Sequence, residues 1–72
     1  MRILLFAHLK SAAGRAEFDL TLDQPLDADG LWRRLVAEHP ALERFRSSVR
    51  LARNSEYVGR DALFSDADEV AL

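Results

Sequence analysis

The sequence has no cysteine, which excludes disulfide bonds, thiolate metal sites and thiol catalysis. Its three glycines are isolated, so no glycine-rich loop for binding phosphate can be drawn. No apolar run approaches the roughly 20 residues that cross a bilayer, and the opening RILLFAHL runs too soon into charged sequence to be a signal peptide. We therefore expect a soluble cytoplasmic protein without a membrane partner.

Apolar residues, in contrast, are plentiful enough for one small core. They make up 49% of the 72 positions, which is too many for a disordered chain. The length allows one domain at most, near the smallest size that is stable without disulfides or metals. We expect a single domain over residues 1–72.

The charges nearly cancel but are unevenly distributed along the chain. Ten basic and twelve acidic residues give a net charge of −2. Residues 33–53 carry six Arg against two Glu, whereas residues 54–72 carry one Arg against five acidic residues. The arginines have no aromatic-rich groove beside them, so we predict no nucleic-acid partner. This asymmetry is better suited to docking onto a protein.

Two strands are predicted to open the chain. The first covers residues 1–9, MRILLFAHL, and the second covers residues 16–23, AEFDLTLD, where apolar and polar residues alternate. Between them, SAAGR is predicted to turn, with Gly14 available for a positive φ angle. The two strands therefore form a predicted hairpin.

One long helix is predicted over residues 24–40, QPLDADGLWRRLVAEHP. Asp27 or Asp29 can cap its N-terminus, and Pro40 ends it because proline removes a backbone donor. Residues 41–48 offer a short second helical turn. The helix presents one broad apolar stripe to a sheet, formed by Ala28, Leu31, Trp32, Leu35, Val36 and His39.

The remaining residues predict further strands and connectors. A third strand covers residues 49–54, and a short apolar pair follows it in SEYVGR. The connector DALFSDAD is predicted to insert both Leu63 and Phe64 into the core, and EVAL at residues 69–72 restarts a strand. The order β-β-α-(α)-β-β-β predicts an α+β fold, a ubiquitin-like β-grasp roll in which a mixed sheet packs on one main helix. Its first and last strands lie side by side and parallel, and a ferredoxin-like sandwich fits less well because only one helix is long.

Catalytic chemistry is absent from the sequence. His8 and His39 lie on different elements, and His39 is best explained as a partner of the helix C-terminus. Ser47 and Ser48 have no nearby base, and the acidic residues 66–69 lack the spacing of a calcium loop. We predict no catalytic residue, no cofactor and no metal site.

The surface of the sheet is the remaining candidate for a function. If the core-facing positions of the first strand are Ile3 and Leu5, its other residues lie on the open side, near Ala52. An exposed Phe forfeits about 1.5–3 kcal/mol of burial, and an apolar patch on a small open sheet more often marks a protein interface than chance. The predicted interface residues are Leu4, Phe6, Tyr57 and Ala71.

Several segments together give a resemblance to a known family. MRILLFAHLKSAAGRAEFDL, the helix with the single Trp, LARNSEYV and LFSDADEVAL resemble the small subunit of molybdopterin synthase, the MoaD branch of the MoaD/ThiS sulfur-carrier family. The most specific pieces are the first strand before a Gly-containing turn, Asn54 after the third strand, and the D-x-D-E-V-A run that follows. The resemblance covers essentially the whole chain and implies the β-grasp fold.

The resemblance also implies a mechanism and partners. In this family an E1-like enzyme uses ATP to adenylate the terminal carboxylate of a Gly-Gly tail, and sulfur replaces the adenylate to give a thiocarboxylate. The tail then enters the large subunit of the heterotetrameric synthase, and the sulfur passes to cyclic pyranopterin monophosphate. The carrier itself is non-catalytic, and catalytic residues are expected in the large subunit. Phe6 and Tyr57 fall at positions that meet that subunit in the family.

The sequence departs from the family at its C-terminal end. It contains neither the Pro-Pro pair nor the Gly-Gly of the family's tail, so the reactive glycine has no counterpart among these residues. We expect the 72 residues to be the ordered part of a longer chain; a truncated chain and a tail-less relative are the alternatives. Two other functions also stay open, a ThiS-like carrier of another pathway and a ubiquitin-like binding module without chemistry. The helical turn in ALERFRSS favours the MoaD type over the shorter ThiS type.

Overall fold

Short strands and helices make up the chain, and its last three elements are all strands. The structure is a computed structural model that describes residues 1–72. Its strands are β1 (Arg2–Leu4), β2 (Glu17–Asp19), β3 (Ala52–Arg53), β4 (Glu56–Tyr57) and β5 (Glu69–Ala71). Its helices are α1 (Ala7–Ala13), α2 (Ala28–Glu38) and a 3-10 helix (Pro40–Phe45). None of these helices combines the length and the apolar composition that spanning a bilayer requires.

The five strands form one mixed sheet in the order β2-β1-β5-β3-β4. β1 and β5 pair in parallel at its centre, and every other pair is antiparallel. Ile3 lies opposite Val70 in the parallel pair, and both side chains are 0% exposed. The predicted arrangement of first and last strands side by side is therefore confirmed.

The prediction for the start of the chain is wrong beyond residue 6. β1 ends at Leu4 and Phe6 keeps an extended backbone, but from Ala7 onward α1 replaces the predicted strand and turn. The C-cap of α1 is Gly14, with φ of 76°. The amide of Gly14 donates to the carbonyl of Lys10 at 3.0 Å and closes the last helical turn. The spacing of the buried residues changes where the strand gives way to the helix. Ile3 and Leu5 are two residues apart, as in a strand, whereas Leu5 and Leu9 are four apart, as in a helix.

The prediction for the long helix is confirmed with a shorter span. Asp27 is the N-cap, and its Oδ1 accepts a hydrogen bond from the amide of Gly30 at 2.8 Å. α2 ends one residue before His39, the C-cap, and Pro40 begins the 3-10 helix instead of continuing α2. The stripe points inward at its centre, where Leu31, Trp32 and Leu35 are buried.

The connector before β5 holds one of its two apolar residues in the core. Phe64 is fully buried and exchanges two backbone hydrogen bonds with Leu26, at 2.7 and 2.9 Å. Leu63 is 59% exposed, so the prediction that it also fills the core is wrong. Adjacent residues of extended backbone point to opposite sides, and the core therefore receives only one of them.

Hydrogen bonds connect Asn54, in the β3–β4 turn, to the acidic residues near the C-terminus. Asn54 has a φ of 50°, its Oδ1 accepts from the amide of Glu69 at 2.9 Å, and its Nδ2 donates to Asp68 Oδ1 at 3.1 Å. Asp68 Oδ2 also accepts from the amide of Ser65 at 2.8 Å. Asn tolerates the left-handed conformation and supplies both an acceptor and a donor, so it ties the β3–β4 turn to the start of β5.

Asp66 anchors the N-terminal amine of the chain. The ammonium of Met1 donates to the carbonyl of Leu20 at 2.7 Å and to Asp66 Oδ1 at 3.2 Å. The same oxygen accepts from the amide of Leu22 at 2.9 Å. This amide, followed by the ammonium, holds the pKa of Asp66 below its ordinary value, because both stabilise the ionised carboxylate.

We expect Asp66→Asn to lower the stability of the 72-residue chain at neutral pH and to weaken its dependence on pH in acid. Because the folded pKa is lowered, the ionised group contributes stability that is present above the unfolded pKa and is lost as the pH falls through the folded pKa. Urea denaturation at several values between about pH 7 and pH 3 measures this. Asp68, whose pKa is also lowered, leaves a residual slope in the variant.

The matched control is Asp61→Asn, which removes the same charge from an exposed residue. The control should keep the acid dependence of the wild type. If the free energy of unfolding of the wild type and of Asp66→Asn fell equally as the pH is lowered, Asp66 would not contribute to the acid dependence.

Candidate functional site

The register of the sheet brings residues from four strands into one row. Leu4 lies opposite Ala71, Ala71 lies opposite Ala52, and Ala52 lies opposite Tyr57. Paired residues point to the same side of a sheet, and Ile3 next to Leu4 points into the core. The row therefore lies on the side away from the core, which we call the open face. Tyr57 is 68% exposed at its edge.

Phe6 extends this row beyond the end of β1. It is the N-cap residue of α1 and keeps an extended backbone, with φ of −124° and ψ of 155°. Its amide donates to the carbonyl of Leu72 at 3.1 Å, and the amide of Leu72 donates to the carbonyl of Leu4 at 2.9 Å. Two residues after Leu4 in extended chain, Phe6 lies on the same side, and it is 57% exposed. The structure thus places all four predicted interface residues on one side; their role as an interface stays a prediction.

Arg50 lies beside the edge of the row and was not among the predicted interface residues. Its guanidinium carbon stands 4.5 Å from the centroid of the Tyr57 ring. A cation over an aromatic face is attracted electrostatically to the ring. The available signal was the spacing of two between Arg50 and Ala52, which assigns both to one face of a strand.

Next to the apolar row runs a line of charged residues that sequence reasoning also missed. Arg2 lies opposite Asp19 on β2 and opposite Glu69 on β5, and it forms an ion pair with Glu17. The Nε of Arg2 donates to Glu17 Oε2 at 3.0 Å. That hydrogen bond and the charge of Glu17 raise the pKa of Arg2, with smaller contributions from Glu69 and Asp19. All four side chains point to the open face because they alternate with core residues.

The groups considered for catalysis do not come together. His8 is exposed on α1, and His39 packs its ring against Phe18 with centroids 4.7 Å apart. No group of three or more His, Asp or Glu side chains is placed to hold a metal ion. An open groove of about 660 Å³ lies between the start of α2 and the segments before β3 and after β4, and across it Arg46 pairs with Asp29 at 3.1 Å. The apolar open face is thus the stronger candidate for a site.

Fold and site together define a ubiquitin-like β-grasp protein whose accessible feature is an apolar sheet face. The chain belongs to the ThiS family, whose model matches residues 3–72. This match confirms the resemblance to the MoaD/ThiS sulfur carriers.

Similar proteins support both the family and the fold. The molybdopterin synthase sulfur carrier subunits of Arabidopsis thaliana and Chlamydomonas reinhardtii are 32% and 33% identical to the chain over its full length, which spans 75% and 89% of theirs. Two crystal structures of small archaeal modifier protein 1 from Haloferax volcanii superpose with TM-scores of 0.81 and 0.84 at 26% identity. They cover 97% of this chain, which in turn covers 88% and 90% of theirs. The predicted β-grasp fold is confirmed.

Proposed function

We propose that the chain is the sulfur-carrier subunit of a molybdopterin synthase and works in the cytoplasm. The two plant and algal relatives carry that name and match the entire chain. The single structural observation that supports it is the open face, where Leu4, Ala71, Ala52 and Tyr57 lie in one row and Phe6 extends it. The proposed partner on that face is the large subunit of the synthase.

The position of Leu72 in the sheet connects the open face with the proposed carrier chemistry. Leu72 is held between Leu4 and Phe6 by backbone hydrogen bonds, so a segment continuing from it leaves the sheet beside Phe6. A tail that reaches into the partner's active site would start where the proposed interface lies. The folded residues then bind and orient, and the large subunit supplies the catalytic groups.

In the proposed reaction an E1-like enzyme activates the C-terminal carboxylate. A carboxylate oxygen attacks the α-phosphorus of ATP and releases pyrophosphate, and a sulfur donor then displaces AMP to leave a thiocarboxylate. The thiocarboxylate sulfur then bonds to cyclic pyranopterin monophosphate, and water cleaves the acyl–sulfur bond, which leaves the sulfur on the substrate and restores the terminal carboxylate. Glycine suits the reactive end because it has no Cβ and passes a narrow channel. The 72 residues contain no Gly-Gly, so the carrier reaction is tested on the complete gene product.

The test combines intact mass with partner binding. After incubation with ATP, the E1-like enzyme and a sulfur donor, the complete gene product is expected to gain the mass difference of one oxygen-to-sulfur exchange. Omitting ATP is the control and should give no change. The sulfur-loaded protein is expected to bind the large subunit and support molybdopterin formation.

The alternative functions give different results in the same test. A carrier of another pathway, such as a ThiS-like protein, would gain sulfur without binding the large subunit. A tail-less binding module would bind a partner without gaining sulfur. Absence of both sulfur gain and binding would contradict the proposed function.

A further inference from the structure

Groups of opposite charge lie at different places beside the apolar row of the open face. Beside the apolar row, Glu17 and Asp19 on β2 and Glu69 on the central strand β5 surround Arg2, and we call these four residues the acidic strip. Three carboxylates against one guanidinium leave it with a net charge of −2. At the β4 edge of the sheet, the guanidinium of Arg50 lies over the ring of Tyr57.

The charges of the acidic strip are not all satisfied within the chain. Arg2 is engaged by Glu17, and neither Asp19 nor Glu69 has an ion pair or a side-chain hydrogen bond. Arg15 lies at the rim of a shallow cleft beside Glu17 and Asp19, but its guanidinium stands over the ring of Phe18 at 5.8 Å. Two carboxylates on either side of one occupied arginine attract a further cation.

We infer that the open face docks a protein surface that has an apolar centre and a basic patch opposite the acidic strip. This inference rests on the proposed function and specifies the surface of the large subunit. Burial of the apolar row stabilises the contact at short range, but the hydrophobic effect does not favour one orientation of the partner over another. The acidic strip and Arg50 lie at different places beside this row and therefore favour one orientation, since a partner rotated in the plane of the sheet would place its basic patch nearer to Arg50. Complementary charges of this kind act mainly on orientation and on the rate of association.

The test compares two double variants that change the net charge equally. Asp19→Asn with Glu69→Gln removes two charges from the acidic strip, and Glu38→Gln with Glu56→Gln removes two from exposed residues off the open face. The rate of association with the large subunit is measured at several salt concentrations. We expect the strip variant to associate about threefold to tenfold more slowly at low salt, with a weaker salt dependence and a nearly unchanged dissociation rate. The control should behave as the wild type.

A charge reversal, Asp19→Lys, gives a second measurement that does not depend on the double variant's folding. It is expected to slow association further than removal of the charge. Equal rates and equal salt dependence in strip and control variants, with the wild type still binding, would overturn this inference and leave the proposed function intact. Failure of the wild type to bind the large subunit would overturn both.

Discussion

Replacing Phe6 with Ala is expected to weaken binding to the large subunit by about 10- to 100-fold, with little change in thermal stability. The Phe6 ring is 57% exposed, so the chain's own fold loses little burial when the ring is removed. The side chain makes no capping hydrogen bond to α1, and the backbone bond to Leu72 does not need the ring. An aromatic side chain that becomes buried in a partner is the type of residue that dominates binding energy.

Leu63→Ala is the matched control for this experiment. Leu63 is 59% exposed, nearly the same as Phe6, but it lies in the connector before β5 and not in the apolar row. Its removal should leave both affinity and melting temperature nearly unchanged. A large fall in melting temperature for Phe6→Ala with unchanged binding would mean that Phe6 serves the fold and that the open face is assigned to the wrong side.

The difference between α2 and α1 shows which parts of the fold could be predicted. The apolar stripe that begins at Ala28 runs through three turns of α2, and an aspartate that can cap the helix comes directly before it. The helical period of the apolar residues and the capping residue therefore predict the same start for the helix. The first segment is ambiguous, because a short apolar run fits a strand and a buried helix equally well. Two residues indicate the helix in retrospect. Leu9 lies at helical spacing from Leu5, and Gly14 is a residue type that commonly ends a helix.

The candidate site was predictable only in its apolar part. Once Ile3 points to the core, Leu4 points away from it, and the parallel pairing of first and last strands brings Ala71 beside it. The acidic strip depends on register, since Asp19 and Glu69 come to flank Arg2 only when both strands align to the residue. A shift of one residue would turn these side chains to the other face, and the sequence alone does not fix that alignment.

Phe64→Ala is expected to unfold most of the protein. Phe64 is fully buried, and such a truncation costs about 3–5 kcal/mol through lost burial and the cavity left behind. A domain this small has a total stability of about 5 kcal/mol, so little or none would remain. Far-UV circular dichroism with urea denaturation measures the loss, and Phe64→Leu, which keeps part of the side chain, should lose less and stay measurable.

Comparison of Phe64→Ala with Leu63→Ala isolates the role of the side chain from that of the connector. The two residues are adjacent, and both changes leave the backbone hydrogen bonds between Phe64 and Leu26 available. Because only the Phe64 side chain enters the core, only its removal should destabilise the chain strongly. If both variants unfolded at the same urea concentration as the wild type, the connector would not pack against the sheet, and β5, which follows it directly, would lack the support that holds it beside β1.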